Sequence, residues 1–395
     1  MLTGKTVLLG VAGGIAAYKS AALASMLVKQ HANVHVLMTE HAKNFINPIT
    51  FETLTGNRCQ VDTFDRNFEF HVAHISLAKS ADVAIIAPAT ANVIGKMAHG
   101  IADDMLTTTL LACTCSILIA PAMNTRMYEN SIVQENLQIL KRHGIKVIEP
   151  AQGHLACGDT GVGKMPEPEE LLQAVLREAA CKKDLSGKHI LITAGPTQEP
   201  IDLVRYITNH STGKMGYAIA QMAMLRGAEV TLVTGPTNIA PPPFVSVVQV
   251  TSAKEMFDEV TKRCEAAEII VMSAAVADYT PRDYYAGKVK KSNEELLIPL
   301  ARTVDILDYL GHNRQPGQFI CGFSMETENL LENSQKKLEK KNVDMIVANN
   351  LRVEGAGFGT DTNEVSLITK DGVIELPLMS KQAVANELLN HIALH

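Results

Sequence analysis

Residues 2–10 (LTGKTVLLG) and 185–193 (LSGKHILIT) decide the fold of this 395-residue chain. Each makes a turn at Gly-Lys and then runs into consecutive aliphatic residues, the pattern of a strand buried on both faces of a parallel sheet. Each is followed by a glycine-bearing loop, a helical pattern and a second strand, Asn33–Met38 in the first half and Glu229–Thr234 in the second. One strand–helix–strand opening per half predicts two domains of α/β class.

The alternation continues outward from both openings. Buried strands are expected at 82–87, 116–120 and 146–148, with a helix at 167–181 closing the first half. In the second half strands are expected at 245–250, 268–273, 318–323 and 343–348, then a hairpin (364–369 and 373–376) about Asp371-Gly372 and a helix at 381–394. The polar stretch 182–187 reads as the linker, giving domains 1–183 and 184–395. The expected architecture is two doubly wound domains, the first flavodoxin-like with a parallel sheet and the second Rossmann-like, with ligands at the carboxyl ends of the strands.

Composition excludes several classes of function. A net charge of -6 argues against binding a nucleic-acid backbone. Seven cysteines without a repeated spacing make neither a disulfide framework nor a zinc site, and fit a reducing cytoplasm. No stretch approaches the ~18 apolar residues of a membrane span. Lys5 and the apolar stretch 7–17 imitate a signal peptide, but Gly13-Gly14 and the amphipathic pattern behind them read better as strand, turn and helix.

In the first half, Gly13 and Gly14 join a strand to a helix without dinucleotide or Walker spacing. They still permit close backbone approach at a helix N-terminus, which attracts phosphate; a plain tight turn is the alternative. The segment APATANVIG (87–95) ends a strand at Ala87, is stopped by Pro88, and offers Thr90 and Asn92 beside a new helix. With Thr39 after the second strand, three strand ends aim donors at one ligand, and a mononucleotide such as FMN suits them better than a dinucleotide. Asp103 and Asp104 read as helix caps, Asn124 likewise, and Met123 and Met127 as helically spaced core. His74 stands at a helix start. Cys157 lies in a Gly-rich segment, GHLACGDTGVGKM, too poor in apolar residues for core and suited to a lid.

Jointly, GGIAAYK, APATAN, the His74 pair HI, GIADDM, PAMNTRMY and LACGDTGVGKMPEP resemble the phosphopantothenoylcysteine decarboxylases. That resemblance implies a flavodoxin-like fold, bound FMN, and trimers with the flavin near a subunit interface. It would make Gly13, Gly14, Thr39, Thr90, Ala91, Asn92, Val93 and Ala122 the FMN residues. His74 would be the base, Asn124 the carboxylate clamp and Cys157 the proton donor. Oxidation of the substrate's CH2–SH to a thioaldehyde would place the carboxylate β to C=S, where it leaves as CO2; protonation and hydride return give the thiol. Tyr128 stands where the family often has Trp, and Lys164 where it often has Arg.

In the second half, residues 193–216 leave a strand end and enter a helix near Gly213, and Thr197, Asn209, Ser211 and Lys214 are candidates for phosphate oxygens there. It is not a Walker loop. The small residues of MSAAVADY (272–279) let a ring lie against backbone, and Asp278 could meet a base, a ribose or Mg2+. Lys288, Lys290 and Lys291, like Lys337 and Lys341 at helical spacing, read alone as solvated charge. With GFSMET (322–327) and VANN (347–350), these motifs resemble phosphopantothenate–cysteine ligase. The resemblance implies CTP and Mg2+, with Ser273, Ala274, Ala275, Asp278, Lys288, Val304, Asp305, Ile306, Leu307, Phe323, Lys337 and Lys341 at the nucleotide. Asn209 would stabilise an acyl-cytidylate and Lys288 would neutralise the transferring phosphate. Thr212 stands where the family often has a second Ser.

The ligase product is the decarboxylase substrate, so the two halves support a bifunctional enzyme that uses 4'-phosphopantothenate, cysteine and CTP. The resemblance also implies dimeric second domains, and with trimeric first domains these could close into a dodecamer. Two alternatives stay open: a peptidyl-cysteine decarboxylase with an unrelated appended domain, and a flavin-binding regulatory protein.

Overall fold

The first of the two repeated openings folds as strand β1 (Thr6–Val11), whose last five residues are all buried. It is the hub of a five-stranded parallel sheet with β2 (Asn33–Met38), β3 (Val83–Ala89), β4 (Ser116–Pro121) and β5 (Lys146–Val147), in the order β2-β1-β3-β4-β5. This is the flavodoxin-like order, and it opens a crevice where the direction of winding reverses between β1 and β3. The structure, a computed structural model, describes residues 1–63, 73–154, 158, 160–288, 296–326, 330–350, 357 and 359–394. These form two compact units, Met1–Cys181 and Lys182–His395.

Helices α1 (Ala17–Lys29), α2 (Pro48–Thr55), α3 (Ala73–Ser80), α4 (Ala91–Ala98), α5 (Met105–Ala112), α6 (Thr125–Tyr128) and α7 (Ser131–Arg142) lie among these strands. A hairpin, β6 (Ala151–His154) with β7 (Thr160–Lys164), follows the sheet, and α8 (Pro168–Ala179) closes the unit. The expectation that Pro88 stops β3 is corrected: the strand runs on to Ala89. The register with β4 shifts between Ile86 and Ala89, so the proline falls in an irregularity that needs no N–H.

In the second unit β8 (His189–Ala194) is the matching hub. Short ribbons β9 (Gln198–Pro200) and β10 (Tyr206–Thr208) precede α9 (Lys214–Leu225), β11 (Glu229–Thr234), β12 (Ser246–Gln249), α10 (Ala253–Thr261) and β13 (Ile269–Met272). A second ribbon, β14 (Tyr279–Pro281) with β15 (Leu300–Arg302), leads to α11 (Ile306–His312), β16 (Phe319–Glu326), α12 (Leu330–Lys341) and β17 (Met345–Asn350). The sheet ends in β18 (Thr362–Thr369) and β19 (Gly372–Ser380), before α13 (Lys381–Ile392). Its order is β12-β11-β8-β13-β16-β17-β18-β19, six parallel strands in Rossmann order extended by the expected antiparallel hairpin.

The helices divide between two faces. Leu191 packs in one cluster with Met256 and Val260 of α10, Ile306 and Leu310 of α11, and Leu338 of α12. Side chains alternate along a strand, so Ile190 and Ile192 turn to the opposite face. There α9 packs on β8 and β11, and α13 packs on α9. Among the described residues no helix is long and apolar enough to cross a membrane.

Candidate active sites

The first unit carries a cleft of about 850 Å3 at the carboxyl ends of β1 to β4. Gly13, Gly14, Thr39, Thr90, Ala91, Asn92, Val93, Ala122 and Asn124 all line it. Local folding explains why they converge. Helix α1 starts without a side-chain cap, and Ile15, Ala16, Tyr18 and Lys19 at its start line the cleft beside Gly13 and Gly14. Gly13 has a packing reason as well: a Cβ there would stand 2.6 Å from His41 Cβ. Thr90 caps α4 by accepting from Val93 N. Thr39 is buried, and its hydroxyl has no hydrogen-bond partner among the described residues. A buried orphan hydroxyl lining a cleft between the starts of α1 and α4 fits a phosphorylated ring ligand.

Charge inside this cleft follows a pattern the sequence did not disclose. Lys96 Nζ donates to Asp103 at 2.6 Å and Asp104 at 3.4 Å, and the Asp103 bond holds the ammonium above its ordinary value despite burial. Asp104 is also the cap of α5, in a reciprocal capping box with Thr107. The two acids therefore hold a lysine as well as a helix end. Met123 packs against the core as expected while also lining the cleft, but Met127 is half exposed, which corrects its reading as core. Asn124 Oδ1 accepts from Arg126 N as the cap of α6.

Strands β6 and β7, at the two ends of the Gly-rich segment, pair with each other and contribute His154, Gly163 and Lys164 to the cleft. Met123 N donates to Gly163 O, and a Cβ on Gly163 would meet Met123 O at 2.3 Å. Lys19, almost fully buried, donates to Glu167 and to Met165 O, fastening the hairpin's exit to α1. The Glu167 carboxyl is held low first by Lys19 and then by Lys164. Cys157 lies outside the described residues. His74 sits in the first turn of α3, half-buried, and is not among the residues lining its own chain's cleft. Tyr128 also stands outside the lining, its hydroxyl donating to Glu149.

The second unit carries a cleft of about 940 Å3 over the carboxyl edge of its sheet. Asn209, Ser273, Ala274, Ala275, Asp278, Val304, Asp305, Ile306, Leu307, Phe323, Lys337 and Lys341 line it. Lys288 is exposed and is not among the lining residues, and Lys290 and Lys291 lie outside the described residues. Asn209 Nδ2 donates to Ala275 O and Val276 O, tying the 208–213 turn to the loop after β13. Thr197 does not reach the cleft: its hydroxyl accepts from Ala277 N, so it holds that loop rather than a phosphate. Gly213 caps α9 at φ +80°, and a Cβ on Gly216 would stand 2.6 Å from Ala194 Cβ, so both glycines let α9 start directly over β8. On the other face Lys341 donates to Asp305, itself the cap of α11. Burial raises the Asp305 carboxyl, but the Lys341 bond, the Asp308 N–H and the Lys341 and Lys337 charges together outweigh it and leave the group below its usual range.

Sequence reading missed Lys19, Lys96 and His154 in the first cleft, and Arg302, Lys340, Asn349, Asn363 and Lys381 in the second. Most stand far along the chain from the motif they join, and only the topology brings them in.

Residues 1–180 match the family described as Flavoprotein, and residues 185–394 the DNA/pantothenate metabolism flavoprotein C-terminal domain. The chain is 47% identical to the coenzyme A biosynthesis bifunctional protein CoaBC of Bacillus subtilis (strain 168), covering 100% of this chain and 98% of that protein. It belongs to the family of bifunctional coenzyme A biosynthesis proteins. The Escherichia coli (strain K12) CoaBC protein is 40% identical, over 99% of this chain and 97% of that one. Among solved structures, the C-terminal domain of a coenzyme A biosynthesis bifunctional protein CoaBC is 46% identical, at a TM-score of 0.47, over 54% of this chain and 97% of that chain. As a bifunctional coenzyme A biosynthesis protein the chain is an enzyme with a flavoprotein half and a pantothenate-metabolism half, and each half carries one of the two clefts.

Proposed function

We propose that residues 184–395 join 4'-phosphopantothenate to cysteine with CTP, and that residues 1–183 decarboxylate the product to 4'-phosphopantetheine with FMN. The observation that carries this reading is the pair of clefts. Each lies at the carboxyl edge of its own sheet, and each is lined by the residues the two resemblances single out, apart from Lys288, His74 and Cys157.

In the second cleft the substrate carboxylate attacks the α-phosphorus of CTP and pyrophosphate leaves; cysteine's amine then displaces CMP from the acyl carbon. Asn209, fixed by its two carbonyl contacts, would stand beside the acyl-cytidylate. Lys337 and Lys341 neutralise nucleotide charge on the α12 side. Mg2+ would enter on the nucleotide's phosphates and take Asp278 as its protein carboxylate.

In the first cleft, Thr39 and the uncapped start of α1 would hold FMN. Bound there, the flavin would supply the reversible two-electron oxidation that lets a carboxylate leave β to C=S. Asn124, at the start of α6 and lining the cleft, would clamp the substrate carboxylate. Cys157 would return a proton to the enethiol carbon. His74 requires a second copy of the chain: a trimer would set a neighbour's His74 against this cleft. The cytoplasm is the expected compartment.

The halves can be tested apart. Protein given CTP, Mg2+ and 4'-phosphopantothenate without cysteine should release pyrophosphate and accumulate the acyl-cytidylate. Protein given phosphopantothenoylcysteine alone should release CO2. Absence of the first product with the second intact would leave a decarboxylase with an unrelated appended domain.

A further inference from the structure

Two lysines that the reaction above leaves unused share one end of the second cleft. Lys214 and Lys381 are the first residues of α9 and α13, helices of 12 residues each that pack together, and both lysines line the cleft. Lys214 Nζ donates to Gly359 O at 2.8 Å and to Asp361 at 2.7 Å. Lys381 Nζ donates to Gly357 O at 2.8 Å and to Thr360 O at 2.5 Å, and the residue is only 6% exposed. Carbonyls orient an ammonium group without cancelling its charge. The carboxylate at hand, Asp361, is 90% exposed and so screened by water. Among the described residues, two cations, one of them buried, and the positive ends of two helices stand here against one solvated acid. Burial and the Lys214 charge push the Lys381 ammonium down to about 8, and Asp361 offsets only part of that. A dianion at this point would relieve the repulsion between the two lysines.

The fold says which part of a ligand reaches them. Val304, Ile306, Lys337 and Lys341 belong to the face carrying α10, α11 and α12, whereas α9 and α13 cover the opposite face. Asn209 and the loop after β13 lie at the sheet edge between the two. A nucleotide held on the α11–α12 side, reacting at its α-phosphorus near Asn209, has its remaining phosphates directed over the edge toward α9 and α13.

We propose that Lys214 and Lys381 form a phosphate subsite that takes the β- and γ-phosphates of the nucleotide and stabilises the departing pyrophosphate. This rests on the ligase reading. As the substrate carboxylate oxygen bonds to the α-phosphorus, the bond from that phosphorus to the bridging oxygen breaks. The electron pair stays on the bridging oxygen, and the charge that grows there is what the two ammonium groups meet.

The experiment uses the full chain and its Lys381→Met, Lys381→Arg and Lys214→Met variants, with inorganic pyrophosphate and CMP as separate calorimetric probes and steady-state kinetics beside them. Lys381→Met should weaken pyrophosphate binding and raise the KM for CTP at least tenfold, leaving CMP affinity and the KM for 4'-phosphopantothenate within about twofold; such contrasts follow from losing one charged contact to phosphate. Lys381→Arg should restore most of both. CMP binding reports that the second unit is folded; if Lys381→Met loses it, the one-third exposed Lys214→Met carries the test with the same expected contrast. Unchanged pyrophosphate binding in the folded variant overturns the proposal. A rise in the KM for 4'-phosphopantothenate instead also overturns it, assigning the subsite to the monoester phosphate of the acyl substrate. Failure of the ligase reading looks different: the unaltered protein would form no CMP from CTP at all.

Discussion

Thr39 is a buried hydroxyl with no partner among the described residues, so its effect on the free protein and on the ligand complex should have opposite signs. Thr39→Val removes an unsatisfied polar group and should leave the ligand-free protein as stable or slightly more so. The same change should weaken FMN by about 1–1.5 kcal/mol, roughly tenfold in Kd, because one hydrogen bond is lost from the complex. Flavin fluorescence titration beside thermal unfolding of the apoprotein checks both; equal affinity in the variant would remove Thr39 from the flavin site. Asp305 and Lys341 give a pH test in the second unit. The Asp305 carboxyl is held low in the folded protein, so its contribution is present above the ordinary carboxylate range and is lost as pH falls through the lowered value. Lys341→Met lets that carboxyl rise, and acid unfolding of the second unit should begin at higher pH, read by circular dichroism at graded pH. Single residues were the least legible level of the sequence. Thr197 has the composition of a phosphate ligand and a position one strand end away, yet its hydroxyl is taken by Ala277 N.

At the scale of elements, the β6–β7 hairpin is the piece that fits the first cleft to its substrate. Gly163 sits at φ +137° with its backbone against Met123, so Gly163→Ala adds both strain and a clash and should lift the hairpin away. Decarboxylation of phosphopantothenoylcysteine should fall about a hundredfold, the scale expected when a positioning element moves by an ångström. Pyrophosphate release by the second half should be unaffected; an equal loss in both reactions would mean general unfolding instead. Long parallel strands such as 189–194 were readable because a run of buried aliphatics has few other homes. The ribbons β9–β10 and β14–β15 were not, since three-residue strands containing Pro carry no alternation. The hairpin about Asp371-Gly372 was legible from its turn, because Gly372 opens β19 at φ +149°, where a side chain would be strained.

At the scale of the whole molecule, the sequence disclosed the fold class through two strand–helix–strand openings, and each winds into the sheet order that such openings permit. What it could not disclose is which distant residues a topology gathers. Lys381 lies 167 positions from Lys214 yet shares its cleft, a juxtaposition set by the packing of α13 on α9. His74 raises the corresponding question between chains. If a neighbour's His74 completes the first site, two inactive variants should rescue each other. A one-to-one mixture of His74→Asn and Asn124→Ala subunits, randomly assembled, should recover about a quarter of unaltered decarboxylase activity, since only one arrangement in four pairs an intact cleft with an intact histidine. No recovery would put His74 in its own chain's chemistry or outside it.

The central claim, that one chain runs both steps, is tested most directly by mass spectrometry of products from purified protein with 4'-phosphopantothenate, cysteine, CTP and Mg2+. The account predicts 4'-phosphopantetheine, CMP, pyrophosphate and CO2 together, with none of the first without the second. A reaction that forms no CMP and leaves added phosphopantothenoylcysteine untouched would contradict it.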